Sequence, residues 1–407
     1  MRWISLYVLI ILVVIPHVAC ALSFGSNVQV HGFLSQGYLK SSNNNFLAAS
    51  RSGSEEFTEV ALNTNLSFWQ DFRIGGQLFY RNLGDYSEDE VVVDWVILEY
   101  QPFDSLGVQV GKCKMPHGFY NATRDSSFLQ PMIFLPQSIY DESRRDANLA
   151  FDGAVVYGNI SFGRFGDIDY HLFTGESDFP EQSMLAYKNE ESVAALIDRN
   201  NQLPLNKRDP RLPSTLNSFE RNSEDLYGGA MVINGLISGL RLGATLHHSK
   251  SVIKVRGLSE PIGETVTHSK YVLSAEYRYR NWMFVAEYGQ TDRTSLMLDK
   301  VSIDGPSQSW YAMIYYTLNE SWSFSLLYDE FYRLKHDHHG DDLSKAPAES
   351  GWRKDIGVGG RYDFNEHCNL KAEYHYVDGT AMQLSVVNPD GVARYWSYVA
   401  VKLSVSF

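Results

Sequence analysis

From Tyr395 to the C-terminal Phe407, the residues Tyr395, Val399, Val401, Leu403, Val405 and Phe407 share one side of an extended chain. Tyr398, Lys402, Ser404 and Ser406 share the other. A period of two marks a β-strand with one apolar face. The alternation recurs upstream. Leu370, Ala372, Tyr374 and Tyr376 oppose Lys371, Glu373 and His375; Ile356, Val358, Tyr362 and Phe364 oppose Asp355, Arg361 and Asp363; Leu273, Ala275, Tyr277 and Tyr279 oppose Ser274, Glu276, Arg278 and Arg280. Charges at every second position of strand after strand would leave unpaired ions in a soluble sandwich core, but they suit a barrel whose lumen holds water. The strand ends separate these two cases. Tyr and Trp gather there, at Trp310, Tyr316, Trp322, Tyr328, Tyr332, Trp396 and Tyr398, as interfacial girdles do.

Connections alternate between tight turns and long polar loops. Turns are expected near Gln70-Asp71, Phe103–Ser105, Ser161–Gly166, Ile237–Gly239, Arg280-Asn281, Asn319–Ser321 and Asn365–Cys368. Loops are expected at Ser41–Ser54, Leu83–Glu90, Gly118–Ala147, Glu176–Asn222, Ser251–Thr267, Thr291–Gln308, Leu334–Arg353 and Thr380–Ala393. About seven turns and about eight loops join about 16 strands, with both termini on the turn side, the plan of an all-β transmembrane antiparallel barrel with short periplasmic turns and long external loops. A barrel of about 16 strands encloses an aqueous channel, whereas one of about eight is filled by its own side chains.

The N-terminus carries Arg2, an apolar run from Ile4 to Ile15, and small residues at Ala19 and Ala21 around Cys20. This is the layout of a secretory signal, with cleavage expected after Ala21 and a mature barrel spanning 22–407. Reading Cys20 as a lipoprotein acceptor is disfavoured, because His17 stands where a Leu is wanted. No later apolar run reaches the roughly 20 residues of a membrane helix. Aromatics make up 14% of the chain, with 25 Tyr, which fits a barrel. The net charge of −13 argues against a nucleic-acid partner, since phosphate binding needs basic stripes. Acidic external loops among lipopolysaccharide phosphates fit it better. Cys113 and Cys368 lack any metal-type spacing and are read as bystanders.

The strand Val30-His31-Gly32-Phe33-Leu34-Ser35-Gln36-Gly37-Tyr38, the segment Gly111-Lys112-Cys113-Lys114-Met115-Pro116-His117-Gly118 and the terminal Phe407 resemble a Gram-negative (proteobacterial) outer-membrane porin family related to the phosphate-selective porins. The resemblance implies a homotrimer in the cell outer membrane, passing small hydrophilic solutes and ions without cofactor. It also implies that the loop after the fifth strand folds inward as the constriction. Here that loop is Gly118–Ala147, stiffened by Pro131 and Pro136 and charged at Arg124, Asp125, Asp141, Glu142, Arg144, Arg145 and Asp146. Three readings of these charges stand side by side: a transverse field across the passage, local pairs that hold the loop, or a mixture of both.

Arg73, Arg81, Lys112, Lys114, Arg278, Arg361 and Lys371 are candidate wall cations. The acidic candidates Glu59, Glu276, Glu287, Asp363 and Glu373 argue against a purely anion-selective ladder. His336, Asp337, His338 and His339, with Asp341 and Asp342, fit no ligand template and are read as a solvated loop tip, so no metal site is expected. His247 and His248, adjacent on a strand, point to opposite faces. A Gly-x-Ser-x-Gly elbow, a P-loop and a His-Glu-x-x-His helix are all missing, and His31, His117 and His171 are read as lumen or rim residues rather than catalytic bases. A solute-selective channel is the first alternative reading. An adhesin or hydrolase on a barrel scaffold is the second, with 176–222 as the feature able to carry surface binding.

Overall fold

The computed structural model describes residues 22–407 apart from 25–26, 85–86, 88, 178, 181–182, 217, 257–259 and 344–345; the expected signal segment lies outside the described residues. Sixteen antiparallel strands close into a barrel. They are β1 (Val28–Ser41), β2 (Thr58–Phe68), β3 (Phe72–Asn82), β4 (Val91–Phe103), β5 (Leu106–Lys114), β6 (Ala150–Ser161), β7 (Asp167–Ser177) and β8 (Phe219–Asn234), followed by β9 (Leu240–Val255), β10 (Gly263–Tyr279), β11 (Trp282–Met297), β12 (Lys300–Thr317), β13 (Trp322–Tyr332), β14 (Trp352–Asn365), β15 (Cys368–Asp378) and β16 (Tyr395–Ser406). A short strand, Leu22–Phe24, folds back on the start of β1.

Each strand pairs with its sequence neighbours, and β16 pairs with β1 from Tyr398↔Ser41 to Ser406↔Phe33, which removes both sheet edges. The termini meet at this seam, where Gly32 and Phe407 exchange backbone hydrogen bonds of 3.1 and 3.0 Å. All seven expected turns join strands where the sequence places them, and both termini lie at the turn end.

Outward positions form an apolar belt. Leu62, Ile74, Leu98, Val110, Leu172, Leu246, Leu273, Leu326 and Val358 are all exposed, an arrangement water would penalise and lipid favours. Trp69, Phe103, Phe165, Tyr279, Trp282, Trp322 and Phe364 stand exposed beside the turns as an aromatic ring. Inward positions carry Glu276, Glu287, Asp329, Asp355, Lys371 and Glu373, each buried.

Three expectations need correction. Trp396, Tyr398 and Tyr332 are not girdle residues. They sit on the inward parity and are buried, with Tyr398 and Trp396 packed 4.5 and 5.4 Å from the ring of Phe46, which the β1–β2 loop brings into the mouth. The expected loops Ser251–Thr267 and Thr291–Gln308 are mostly strand: β9 and β10 extend to Val255 and from Gly263, and β11 and β12 meet at a turn of Leu298 and Asp299. Both turn residues have positive φ, 49° and 61°, as a two-residue hairpin turn with the strands' twist requires. The strand signal is lost there because the barrel rises beyond the apolar belt and both faces become polar. Thirdly, the segment 176–222 is not merely a loop, because it contains a helix.

Candidate functional site

The connection between β5 and β6, residues 115–149, lies inside the barrel and ends in a short helix, α1 (Arg145–Leu149). Lumen-facing groups of the wall fasten it at both sides. On the β10–β15 side, the Lys371 ammonium donates to the carbonyls of Ser127, Gln130 and Met132. Glu373 accepts from the backbone N–H of Ile133 at 2.8 Å and of Phe134 at 3.3 Å, and Arg361 donates to Phe128 O at 2.8 Å. Glu287 accepts from Phe119 N, the Tyr140 and Tyr311 hydroxyls and Ser274 Oγ. Hydrogen bonds to charged groups contribute about 1.5–3 kcal/mol each, so these anchors hold the loop far more firmly than its own sequence would. Gly118 begins the inward turn with φ +57°; a Cβ there would collide with the Tyr140 hydroxyl and come within 2.8 Å of Glu287 Oε1.

The β3–β5 side of the wall holds the other flank through ion pairs. Arg145 bridges Asp94 at 3.2 Å and Asp125 at 2.5 Å, and Asp125 also accepts from Lys114 at 3.1 Å. Glu142 takes Arg81 at 2.8 Å and Arg124 at 2.7 Å, and Asp146 lies 3.3 Å from Arg145. Five of the seven expected constriction charges, Arg124, Asp125, Glu142, Arg145 and Asp146, therefore sit in fastening pairs. Only Arg144 and Asp141 line the open cavity beside the loop.

The expected wall cations are mostly engaged as well. Arg73 forks onto Glu99, Arg278 pairs with Glu276, Arg361 with Asp363, and Lys371 holds the loop. Lys112 borders a second cavity together with Arg81, Arg145 and Asp146. Of the acidic candidates, Glu59 is taken by Lys402, and Glu276 by Arg278 and Arg241.

The second long connection, between β7 and β8, folds over the mouth as α2 (Met184–Asn201). Ser183 caps it, its Oγ accepting from Ala186 N at 3.3 Å. Met184, at one end, joins an apolar cluster with Phe134 of the inner loop and Leu384 of the β15–β16 loop. Val193 and Ile197, one turn apart on one face, join Ile253, Val255 and Ile262 at the opposite rim. Between these supports, Lys188 faces the lumen.

The open cavity left beside the inner loop measures about 220 Å³. Seven cations line it: Arg144 of the inner loop, Lys188 of α2, Arg221 of β8, Lys250 of β9, Lys270 of β10, Arg293 of β11 and Arg333 just after β13; of these, Lys250 is paired with Glu224 and Glu264. Among its described lining residues the only carboxylate is Asp141, and that one accepts from Ser143 N and Oγ and pairs with Arg144 at 3.4 Å. Lys188, Arg221, Lys270, Arg293 and Arg333 make no ion pair among the described residues. Arg221 instead donates to Ser251 Oγ and lies 4.6 Å over the Phe179 ring, and Arg333 donates to Ala381 O at 3.1 Å.

Enclosure by the surrounding barrel, and then repulsion from Arg144, Arg333 and Arg293, push the Lys188 ammonium down to about 8. The side chain itself is exposed to the lumen, so the like charges, which water screens but does not remove, are the durable part of that effect. Arg333 is lowered by the same two causes, enclosure and then Arg144.

Of these seven, only Arg144 is among the expected site residues; Lys188, Arg221 and Arg293 lie in segments read from sequence as loops, and Lys250, Lys270 and Arg333 lie just outside such segments. Lys270 is re-aimed by a β-bulge. In β10 the register slips between Thr267 and Ser269 against both neighbours, so buried inward residues change from odd to even positions, from Thr267 to Val272, Ser274 and Glu276. His247 faces inward and His248 outward, stacked 4.9 Å from Tyr227. His117 is buried 6.0 Å from the His247 ring, and His171 stacks on Tyr157; His31 is exposed near the turn end of β1. At the β13–β14 loop, Asp337 accepts three backbone N–H bonds, His336 pairs with Asp342 and His338 stacks on Tyr332.

No protein-family model matches the sequence, and no curated protein matches it. Solved structures do match. Salmonella typhi OmpF in complex with daunomycin aligns over 95% of this chain and 100% of its own, at 14% identity and a TM-score of 0.57. The fold is that of outer-membrane channels. Vibrio cholerae OmpT, described as outer-membrane expressed, aligns over 95% and 100% at 12% identity and a TM-score of 0.54. The outer membrane channel DcaP of Acinetobacter baumannii aligns over the same shares at 11% identity and a TM-score of 0.52. The lipid-facing belt and this shared architecture locate the barrel in an outer membrane.

Proposed function

We propose that the protein is a porin, a water-filled channel for passive diffusion of small hydrophilic solutes, and that its passage prefers anions. The observation that carries this reading is the cavity beside the inner loop, lined by seven cations, five of them without an ion pair among the described residues, and by a single engaged carboxylate. Rings of Arg and Lys lower the barrier for anions and raise it for cations. The inner loop narrows the lumen along the β10–β15 and β3–β5 sides, and the unpaired cations gather beside it, on β8, β10, β11, α2 and the end of β13. The charges expected to make a transverse field serve chiefly to hold the loop; selectivity comes from residues around it.

The reading includes the finer points implied by the sequence resemblance. These are outer-membrane lipid and lipopolysaccharide as surroundings, and a homotrimer, a form in which one Vibrio cholerae OmpT structure is described. Liposome swelling with the purified protein tests it. Small anionic solutes should enter faster than neutral solutes of the same size, and cationic ones slowest; no swelling with any solute would refute the channel.

A further inference from the structure

The lumen wall is not charged all round. From β11 to β15 its inward positions carry Glu287, Asp329, Lys371 and Glu373, but on the turn side of the inner loop β4, β6 and β8 present Ile97, Val155, Ala230 and Val232. With Trp95 of β4 and Phe119 of the inner loop these residues enclose a separate pocket of about 290 Å³. Water there has few partners, and an apolar group that replaces it is favoured. Two polar side chains in the same lining are unsatisfied. Thr245 of β9 and His117 of the inner loop are each more than nine-tenths buried, and neither Thr245 Oγ1 nor either ring nitrogen of His117 makes a hydrogen bond. Such buried groups cost free energy that a bound hydroxyl or amide recovers. Apart from imidazoles, the one ionisable side chain among the described lining residues is Lys114, and Asp125 takes it at 3.1 Å and Ala122 O at 2.9 Å. The pocket therefore suits a neutral solute. His117 is also the one described residue that lines both this pocket and the cation-lined cavity, so the pocket is the next stop below the mouth.

We propose that this pocket is a binding site for a neutral solute consisting of one ring that bears a hydroxyl or amide group, a phenol being the simplest case. The ring lies among Trp95, Phe119, Ile97, Val155 and Val232, where contact with two aromatic side chains adds to plain burial. Its polar group reaches Thr245 Oγ1 and His117. Ligand pockets run from roughly 300 to 1,000 Å³, so a pocket at the bottom of that range takes one ring and not two. The proposal goes beyond the porin reading and requires only the closed barrel. Its chemistry is the opposite of the mouth's: a charged solute is drawn to the cations, a neutral ring to the wall beneath them.

The test is displacement of radiolabelled phenol from the full-length folded protein held in amphipol, with toluene and benzoate as competitors. Phenol should bind saturably, one per chain. Toluene, which has the ring without the hydroxyl, should bind roughly tenfold more weakly, the loss expected for one neutral hydrogen bond. Benzoate, similar in size but charged, should leave bound phenol unchanged over the same range. Thr245→Val keeps the shape of the side chain and removes its hydroxyl, so it should bring phenol close to the affinity of toluene and leave toluene where it was. Ala230→Leu, which fills the pocket, should abolish binding of both. Phenol uptake that never saturates, binding untouched by Ala230→Leu, or a Thr245→Val effect equal for phenol and toluene overturns the proposal. Displacement by benzoate as effective as that by toluene places the ring among the mouth cations and overturns it too. None of these results touches the porin reading, and a barrel that binds phenol in the expected pattern but passes no current overturns that reading alone.

Discussion

Arg144 and Arg145 are neighbours in sequence with different work to do. Arg145 is buried among Asp94, Asp125 and Asp146 and lies 4.4 Å over the Phe79 ring, so Arg145→Gln leaves buried carboxylates without their cation. Breaking such a cluster costs about 3–5 kcal/mol. Arg145→Gln should lower the temperature at which the barrel unfolds in detergent and make the channel noisy. Arg144→Gln should leave unfolding unchanged and lower the anion-to-cation permeability ratio by roughly two- to threefold, the effect of one screened charge.

Lys188 supplies a pH test at the same scale. It faces Arg144 and Asp141 of the inner loop, Arg221, Lys270 and Arg293 of the wall, Arg333, and the imidazoles of His117 and His247. With its ammonium pushed down to about 8, the charge is present below that pH and lost as pH rises through it. The anion preference of the wild type should therefore fall between pH 7 and 9, and Lys188→Met should flatten that step. An identical step in the variant would assign the titration to another group.

At the scale of elements, the porin reading makes α2 and the inner loop the parts that set how wide the passage is. Replacing 183–203 by a short Gly-Ser linker removes Lys188 and the helix while sparing every barrel strand. The prediction is a larger single-channel conductance with a weaker anion preference and unchanged heat resistance of the barrel; unchanged conductance would mean that α2 does not cover the passage.

Legibility in the sequence also varied by element. Strands within the apolar belt announce themselves by alternation, as in Leu370 to Tyr376, because one face meets lipid and the other water. That contrast disappears where β11 and β12 rise beyond the lipid, and Arg293 went unassigned with it. Lys270 shares its parity with Ser274 and Glu276 and was legible from them, had the strand been extended. The bulge that sets this parity leaves no mark that alternation can detect. α2 had a signal: Ser183 in the capping position, then no Gly or Pro until Pro204. Which of the inner-loop charges are fasteners was not readable, because Asp94, Arg81 and Lys114 reach them only through the closed barrel.

For the whole molecule, closure produces both the pore and its charge pattern. Sixteen strands give a lumen too wide for side chains alone to fill, and the buried wall groups Glu287, Lys371 and Glu373 are used to hang a loop inside it. Beside the loop lies the cavity to which β8, β10 and β11 contribute cations without carboxylates, so a chain of net charge −13 has a cavity whose charged lining is mostly cations.

The most direct test is the zero-current potential of the purified protein in a planar bilayer under a KCl gradient. The account predicts a stable channel whose potential shows chloride permeating more readily than potassium, with the preference shrinking as salt screens the lining cations. A channel that favours potassium, or a bilayer that stays closed, would contradict it.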